Sequence, residues 1–94
     1  MYILTNQNNT VLYTGVTSNL SNRLNDHRTG RFKNSFTSRY SVNKLVYYEL
    51  CYSIEDAIVR EKQIKAGSRQ KKIDLINKRN PAWEDISLKD SFSL

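Results

Sequence analysis

Apolar positions in this chain come in short blocks separated by polar punctuation. Tyr2-Ile3-Leu4 and Val11-Leu12-Tyr13 are β-prone and flank the turn-forming cluster Asn6-Gln7-Asn8-Asn9-Thr10, a pattern that predicts a hairpin. Pairing Leu4 with Val11 sets Tyr2 opposite Tyr13, and any register of the same parity keeps both tyrosines on one face. They are then either a cross-strand aromatic contact or two hydroxyls converging on a site. Leu45–Tyr52 is apolar on both faces, which predicts a third strand covered by helices on both sides.

Between these blocks the period changes from alternation to that of a helix. Val11–His27 reads as strand, tight turn and helix, with Gly15 giving backbone freedom and Thr17 or Ser18 as the cap of a helix starting near Asn19. Leu20, Arg23, Leu24 and His27 share one helical face, and Thr29-Gly30 ends the helix. A second helix is expected from a Ser53 cap to about Ala66, with Glu55 and Asp56 in its first turn and Ile54, Ala57, Ile58 and Ile64 inward. A third should span Ser68 to Arg79, bury Ile73 and Ile76, and stop at Asn80-Pro81. Trp83 and Ile86 should fold back on the body. The expected architecture is α/β (α+β): a three-stranded antiparallel sheet flanked by about three helices, one domain over residues 1–86, and a frayed tail over 87–94.

Composition narrows the chemistry. Ninety-four residues allow one core and one shallow site. The formal charge of +6, with 15 Lys and Arg against 9 Asp and Glu, favours a polyanionic partner, and nucleic acid is the default candidate. A single cysteine, Cys51, excludes an internal disulfide and a Cys-based zinc site, and implies a reduced setting. With His27 the only histidine, any metal must be held by carboxylate and water oxygens. No apolar run approaches the roughly 18 residues of a membrane span, so a cytoplasmic protein with no membrane contact is expected, and no obligatory protein partner is evident.

Three placements carry chemistry. Arg23 and His27 sit among inward leucines, either snorkelling at the core edge or forming an anion site. Glu61 falls on the inward stripe of the second helix, where a carboxylate needs a partner: Lys65 one turn later, or a divalent ion. Between Arg28 and Lys44 the chain mixes Arg28, Arg31, Lys33 and Arg39 with Phe32, Phe36 and Tyr40, read as an ordered loop with a helical turn around Ser35–Tyr40. These four cations, with Lys65, are the candidate phosphate contacts. Tyr2, Tyr13, Arg23, His27 and Glu61, if turned toward one core, supply a proton acceptor, a phosphate clamp and a metal ligand.

These residues in this order resemble the GIY-YIG endonuclease superfamily. Tyr2-Ile3-Leu4 is similar to its first motif and Tyr13-Thr14-Gly15 to its second. Arg23 and His27 stand where the family places its helix arginine and a following tyrosine or histidine, and Glu61 matches its metal-binding glutamate. The resemblance implies metal-dependent hydrolysis of DNA. Tyr13 would act as general base or orient the attacking water, tuned by Tyr2 and His27; Arg23 would hold the scissile phosphate; and one Mg²⁺ (or Mn²⁺) on Glu61 would stabilise the leaving oxygen. The chain departs from the family's pattern in three ways. Val16 replaces a lysine of several family nucleases, the first motif lacks its glycine, so that a short or frayed first strand is expected, and Ile73 stands where some members have an asparagine, with Asn77 and Asn80 nearby. The expected function is an endonuclease of low sequence specificity, since the chain has no room for a separate DNA-reading domain. The alternatives are a nucleic-acid-binding module that keeps the fold without cleaving, and a protein whose Glu61 and Arg23 are structural ion-pair partners.

Overall fold

A computed structural model describes residues 1–20, 22–24 and 40–88. Three strands, β1 (Tyr2–Thr5), β2 (Leu12–Gly15) and β3 (Lys44–Tyr48), form one antiparallel sheet in the order β2-β1-β3. Although the first motif lacks its glycine, β1 is the central strand and every one of its residues is buried, so it is not frayed. The β1–β2 turn is held by Asn6, whose Oδ1 accepts from the Thr10 and Val11 amides at 2.8 and 3.1 Å, and Asn9 adopts the left-handed φ of 58° that asparagine tolerates.

The hairpin register is Tyr2↔Gly15 and Leu4↔Tyr13, two residues away from the expected Tyr2–Tyr13 pairing but of the same parity. Tyr2 and Tyr13 therefore do share a face. β3 is shorter than expected because its ladder with β1 ends at the Met1–Glu49 pair, where the Glu49 amide donates to the Met1 carbonyl at 2.8 Å. Leu50 and Tyr52 then lie beyond the sheet, 73% and 104% exposed. A register shift against β1 between Ile3 and Leu4 allows Val46 and Tyr47, adjacent in sequence, to join the same core.

The sheet separates two cores. On one side Ile3, Val46 and Tyr47 pack with Met1, Ile64 and Ile76; on the other Tyr2, Leu4 and Leu45 pack with Leu20, Leu24 and Val42. The first side is covered by α1 (Ile54–Ala66), which lies against β2, and α2 (Arg69–Arg79), which lies against β3. Ser53 and Ser68 cap these helices as the sequence predicts, their hydroxyls accepting from the Asp56 and Lys71 amides. The second side is covered by the helical residues 20 and 22–24. Their cap is Asn19, not Thr17 or Ser18. The Asn19 Oδ1 accepts from the Asn22 amide and its carbonyl from the Arg23 amide, both at 3.1 Å, while Thr17 only closes the preceding turn onto the Asn19 amide.

Helix α1 is rotated from the expected orientation. Ala57 and Ile64 are buried, but Ile54 and Ile58 are 40% and 37% exposed. Apolar residues occur almost all round this helix, so spacing left its orientation open. In this orientation Arg60 is bonded to both Glu49 carboxylate oxygens at 2.8 and 3.0 Å. Asn80 caps α2 and donates to the Val46 and Glu84 carbonyls at 3.1 and 2.9 Å, while Trp83 and Ile86 fold back onto the two cores as expected. The final 3₁₀ turn, Ile86–Leu88, includes Ser87 and Leu88, the first residues of the expected tail.

Candidate active site

Three of the predicted site residues meet on the second side of the sheet. Tyr2 and Tyr13 project from adjacent strands with ring centroids 6.3 Å apart and planes tilted by 41°. Arg23 enters from the helix capped by Asn19, with Leu20 and Leu24 anchoring that helix on the same core. Its guanidinium interacts with both phenol groups, and the two phenols interact with each other. Burial pushes the Tyr2 phenol above its ordinary value, an effect the Arg23 hydrogen bond partly opposes. Arg23 is itself held further up, chiefly by that hydrogen bond.

Burial distinguishes the two phenols. Tyr2 is 1% exposed and holds its proton more tightly than a free phenol does. Tyr13 is only partly buried and is the phenol a ligand can reach. Gly15 makes this possible, because a side chain there would occupy the space of the Tyr2 ring: an added Cβ would lie 2.6 Å from the Tyr2 Cζ and Oη.

Glu61 does not join this cluster through a shared core. Its helix packs through Ile64 on the core of Ile3 and Val46, which corrects the expectation that Glu61 turns toward the same core as Tyr2, Tyr13 and Arg23. The Glu61 carboxylate, 17% exposed, pairs with Lys65 at 3.1 Å. Lys65 in turn lines a depression at the β2 edge together with Leu12, Tyr13, Thr14 and Lys72. Glu61 thus lies one helical turn from a residue that shares a surface with Tyr13. Among the described residues no three His, Cys, Asp or Glu side chains gather into a metal cluster. His27, Arg28, Arg31, Lys33 and Arg39, the helix end at Thr29-Gly30 and most of the expected turn at Ser35–Tyr40 lie outside the described residues.

Neither nearby asparagine replaces the one absent at Ile73. Asn80 is engaged in capping α2 and tying it to β3, and the Asn77 Oδ1 accepts from the Trp83 indole at 2.7 Å. A second charged cluster was missed from sequence. Arg60 holds Glu49, the Tyr47 hydroxyl donates to the same carboxylate, and the Arg79 guanidinium lies 5.5 Å from the Tyr47 ring centre. Its members come from β3, α1 and α2, so no local pattern announces it.

A three-stranded antiparallel sheet with a strand-borne phenol pair beside a helix arginine defines a small α/β domain. The chain belongs to the GIY-YIG family: it matches the GIY-YIG catalytic domain over residues 1–74. Among its relatives is a UPF0213 protein of Syntrophus aciditrophicus, 41% identical over 81 residues, covering 86% of this chain and 91% of the relative. UPF0213 proteins of Staphylococcus haemolyticus and Streptococcus agalactiae are each 38% identical, over 84% and 81% of this chain and 94% and 84% of their own lengths. No solved structure matches the chain. No helix among the described residues is long and apolar enough to cross a membrane.

Proposed function

We propose that this protein is a cytoplasmic, divalent-metal-dependent endonuclease that hydrolyses phosphodiester bonds of DNA with low sequence specificity. The observation that carries this reading is the Tyr2–Tyr13–Arg23 cluster, in which a buried, protonated phenol and a guanidinium converge on a second phenol that solvent can reach. A free tyrosine, with a pKa of about 10, is a poor base at neutral pH and needs donors and positive charge around its oxygen. Tyr2 and Arg23 supply them. Tyr13 then accepts a proton from the attacking water or orients it, and Arg23 binds the non-bridging oxygens of the phosphate. His27 is proposed to assist Tyr13, and Arg28, Arg31, Lys33 and Arg39 to contact flanking phosphates.

Glu61 suits a single Mg²⁺ or Mn²⁺, which commonly takes one or two carboxylates and completes its shell with water and phosphate oxygens. When bound, the ion would supply charge stabilisation for the leaving oxygen. One observation favours the second reading, a binding module with little or no cleavage: Lys65 already neutralises the Glu61 carboxylate.

Nicking of supercoiled plasmid in Mg²⁺, Mn²⁺ or EDTA separates the two. Wild type should nick with either ion and not with EDTA. Tyr13→Phe should lose turnover while still binding metal. Glu61→Gln should lose only the metal response, because Lys65 is 51% exposed and no buried cation is left stranded. The lost i,i+4 pair contributes about 0.3–0.5 kcal/mol, so the melting temperature should barely move. Nicking by the Glu61→Gln protein in Mg²⁺ would overturn its role as metal ligand, and absence of nicking by wild type under every condition would leave the binding module.

A further inference from the structure

Lysines from two helices meet at the outer edge of the sheet. Lys65, near the end of α1, and Lys72, in the first turns of α2, line an open depression of about 370 Å³ with Leu12, Tyr13 and Thr14 of β2. Tyr13 belongs both to this depression and to the phenol–guanidinium cluster. Lys72 also lines the groove of about 380 Å³ between α1 and α2, where Ile64 and Leu75 lie alongside Lys71 and Lys78. Depression and groove therefore join at Lys72 into one basic track that begins at Tyr13. The one acid lining it among the described residues, Asp74, is engaged by the Gln70 amide at 2.9 Å.

Lys65 and Lys78 stand in last turns, where cations are favoured, and Lys65 also pairs with Glu61, but helix stability does not account for Lys71 and Lys72. A helix N-terminus is the positive end of the backbone dipole, where acids are favoured and cations disfavoured by about 0.3–1 kcal/mol each. Helix α1 follows that rule with Glu55 and Asp56, whereas the first turn of α2 holds no acid and instead carries Lys71, followed by Lys72. The wall beside them is also unsatisfied, since the buried Thr14 hydroxyl has no hydrogen-bond partner among the described residues. A polyanion along the track would turn the repulsive arrangement into an attractive one.

We propose that Lys72, together with Lys65, binds the backbone phosphate next to the one at Tyr13, and that the bound nucleic-acid strand continues over the β2 edge into the α1–α2 groove past Lys71 and Lys78. The position of the scissile phosphate rests on the nuclease reading, but the track is a binding property and is tested without cleavage. Several lysines beside an apolar surface suit a phosphodiester backbone, whose charges repeat along the strand and whose sugars are less polar.

The test is binding of a labelled short DNA duplex in EDTA across a salt series, for wild type, Lys72→Gln, Lys72→Arg and Lys62→Gln. Lys62 is exposed on α1 and lines neither depression nor groove. Lys72→Gln should weaken binding several-fold and reduce the slope of log affinity against log salt by about 1. Lys72→Arg should restore both, and Lys62→Gln should leave both near wild type. Equal affinity and slope for Lys72→Gln and wild type would overturn the track even if the protein nicks plasmid. A Lys72 effect in a protein that never nicks would support the track while the nuclease reading fails. Absence of duplex binding at low salt would overturn both.

Discussion

Gly15 shows how much of the site depends on one missing side chain. An added Cβ would stand 2.6 Å from the Tyr2 Cζ and Oη and 3.0 Å from the Tyr13 Cε1, inside the contact distance of all three atoms. Tyr2 is held on its other sides by the core, so its ring cannot swing aside at little cost. Gly15→Ala should therefore destabilise the fold by about 1–3 kcal/mol, as overpacking does, and should disturb the Tyr2–Tyr13 contact. Urea unfolding together with near-ultraviolet circular dichroism would check it. An unchanged spectrum and unchanged stability would mean that the rings are not held against this glycine. The glycine was legible in the sequence as a turn residue. Its role as the floor beneath a tyrosine was not, because that follows from the Tyr2↔Gly15 register.

At the scale of elements, caps were more legible than orientations. Ser53 and Ser68 were readable because a serine preceded each helical run at the right place, and both accept the expected amide. For the first helix the sequence offered Thr17 or Ser18 as the cap and Asn19 as the start, and only the hydrogen bonds to the Asn19 side chain and carbonyl show that Asn19 is the cap. Asn19→Ala should cost about 1 kcal/mol, the usual loss for such a cap, measured as a lower unfolding midpoint. Ser18→Ala should cost little by comparison. Helix α1 carried the larger uncertainty. The isoleucines predicted inward are partly outward, and the Glu49–Arg60 pair, with partners 11 residues apart, helps choose which side faces the sheet.

Over the whole molecule, the sheet keeps a titratable phenol in each of its two cores, Tyr2 on one side and Tyr47 on the other. Burial raises both, and Tyr47, which also donates to the Glu49 carboxylate, is pushed up to about 12. Above a pH of about 10 the unfolded chain loses phenol protons that the folded chain retains, so the folded state binds more protons. The corresponding stability is fully present below that pH and is lost as pH rises through the folded values. Denaturant midpoints should thus fall steeply between about pH 10 and the Tyr47 value of about 12, and Tyr47→Phe should flatten part of that fall. Midpoints that stay level across this range would contradict the burial of both phenols.

The sequence by itself determined the hairpin, the two capped helices, the family and the shared face of Tyr2 and Tyr13, because each depends on local spacing or on parity, which a two-residue slip preserves. Arg23 was likewise placed by its helical interval from Leu20 and Leu24. The tertiary structure alone decided that the sheet lies between two cores, that the helix carrying Glu61 packs on the core opposite that of Tyr2, and that Lys72 of α2 lines one depression with Tyr13 of β2 at the sheet edge. The physical reason is that a periodic pattern specifies which residues of an element lie together, while the neighbour that each face meets is set by contacts between elements far apart in the chain.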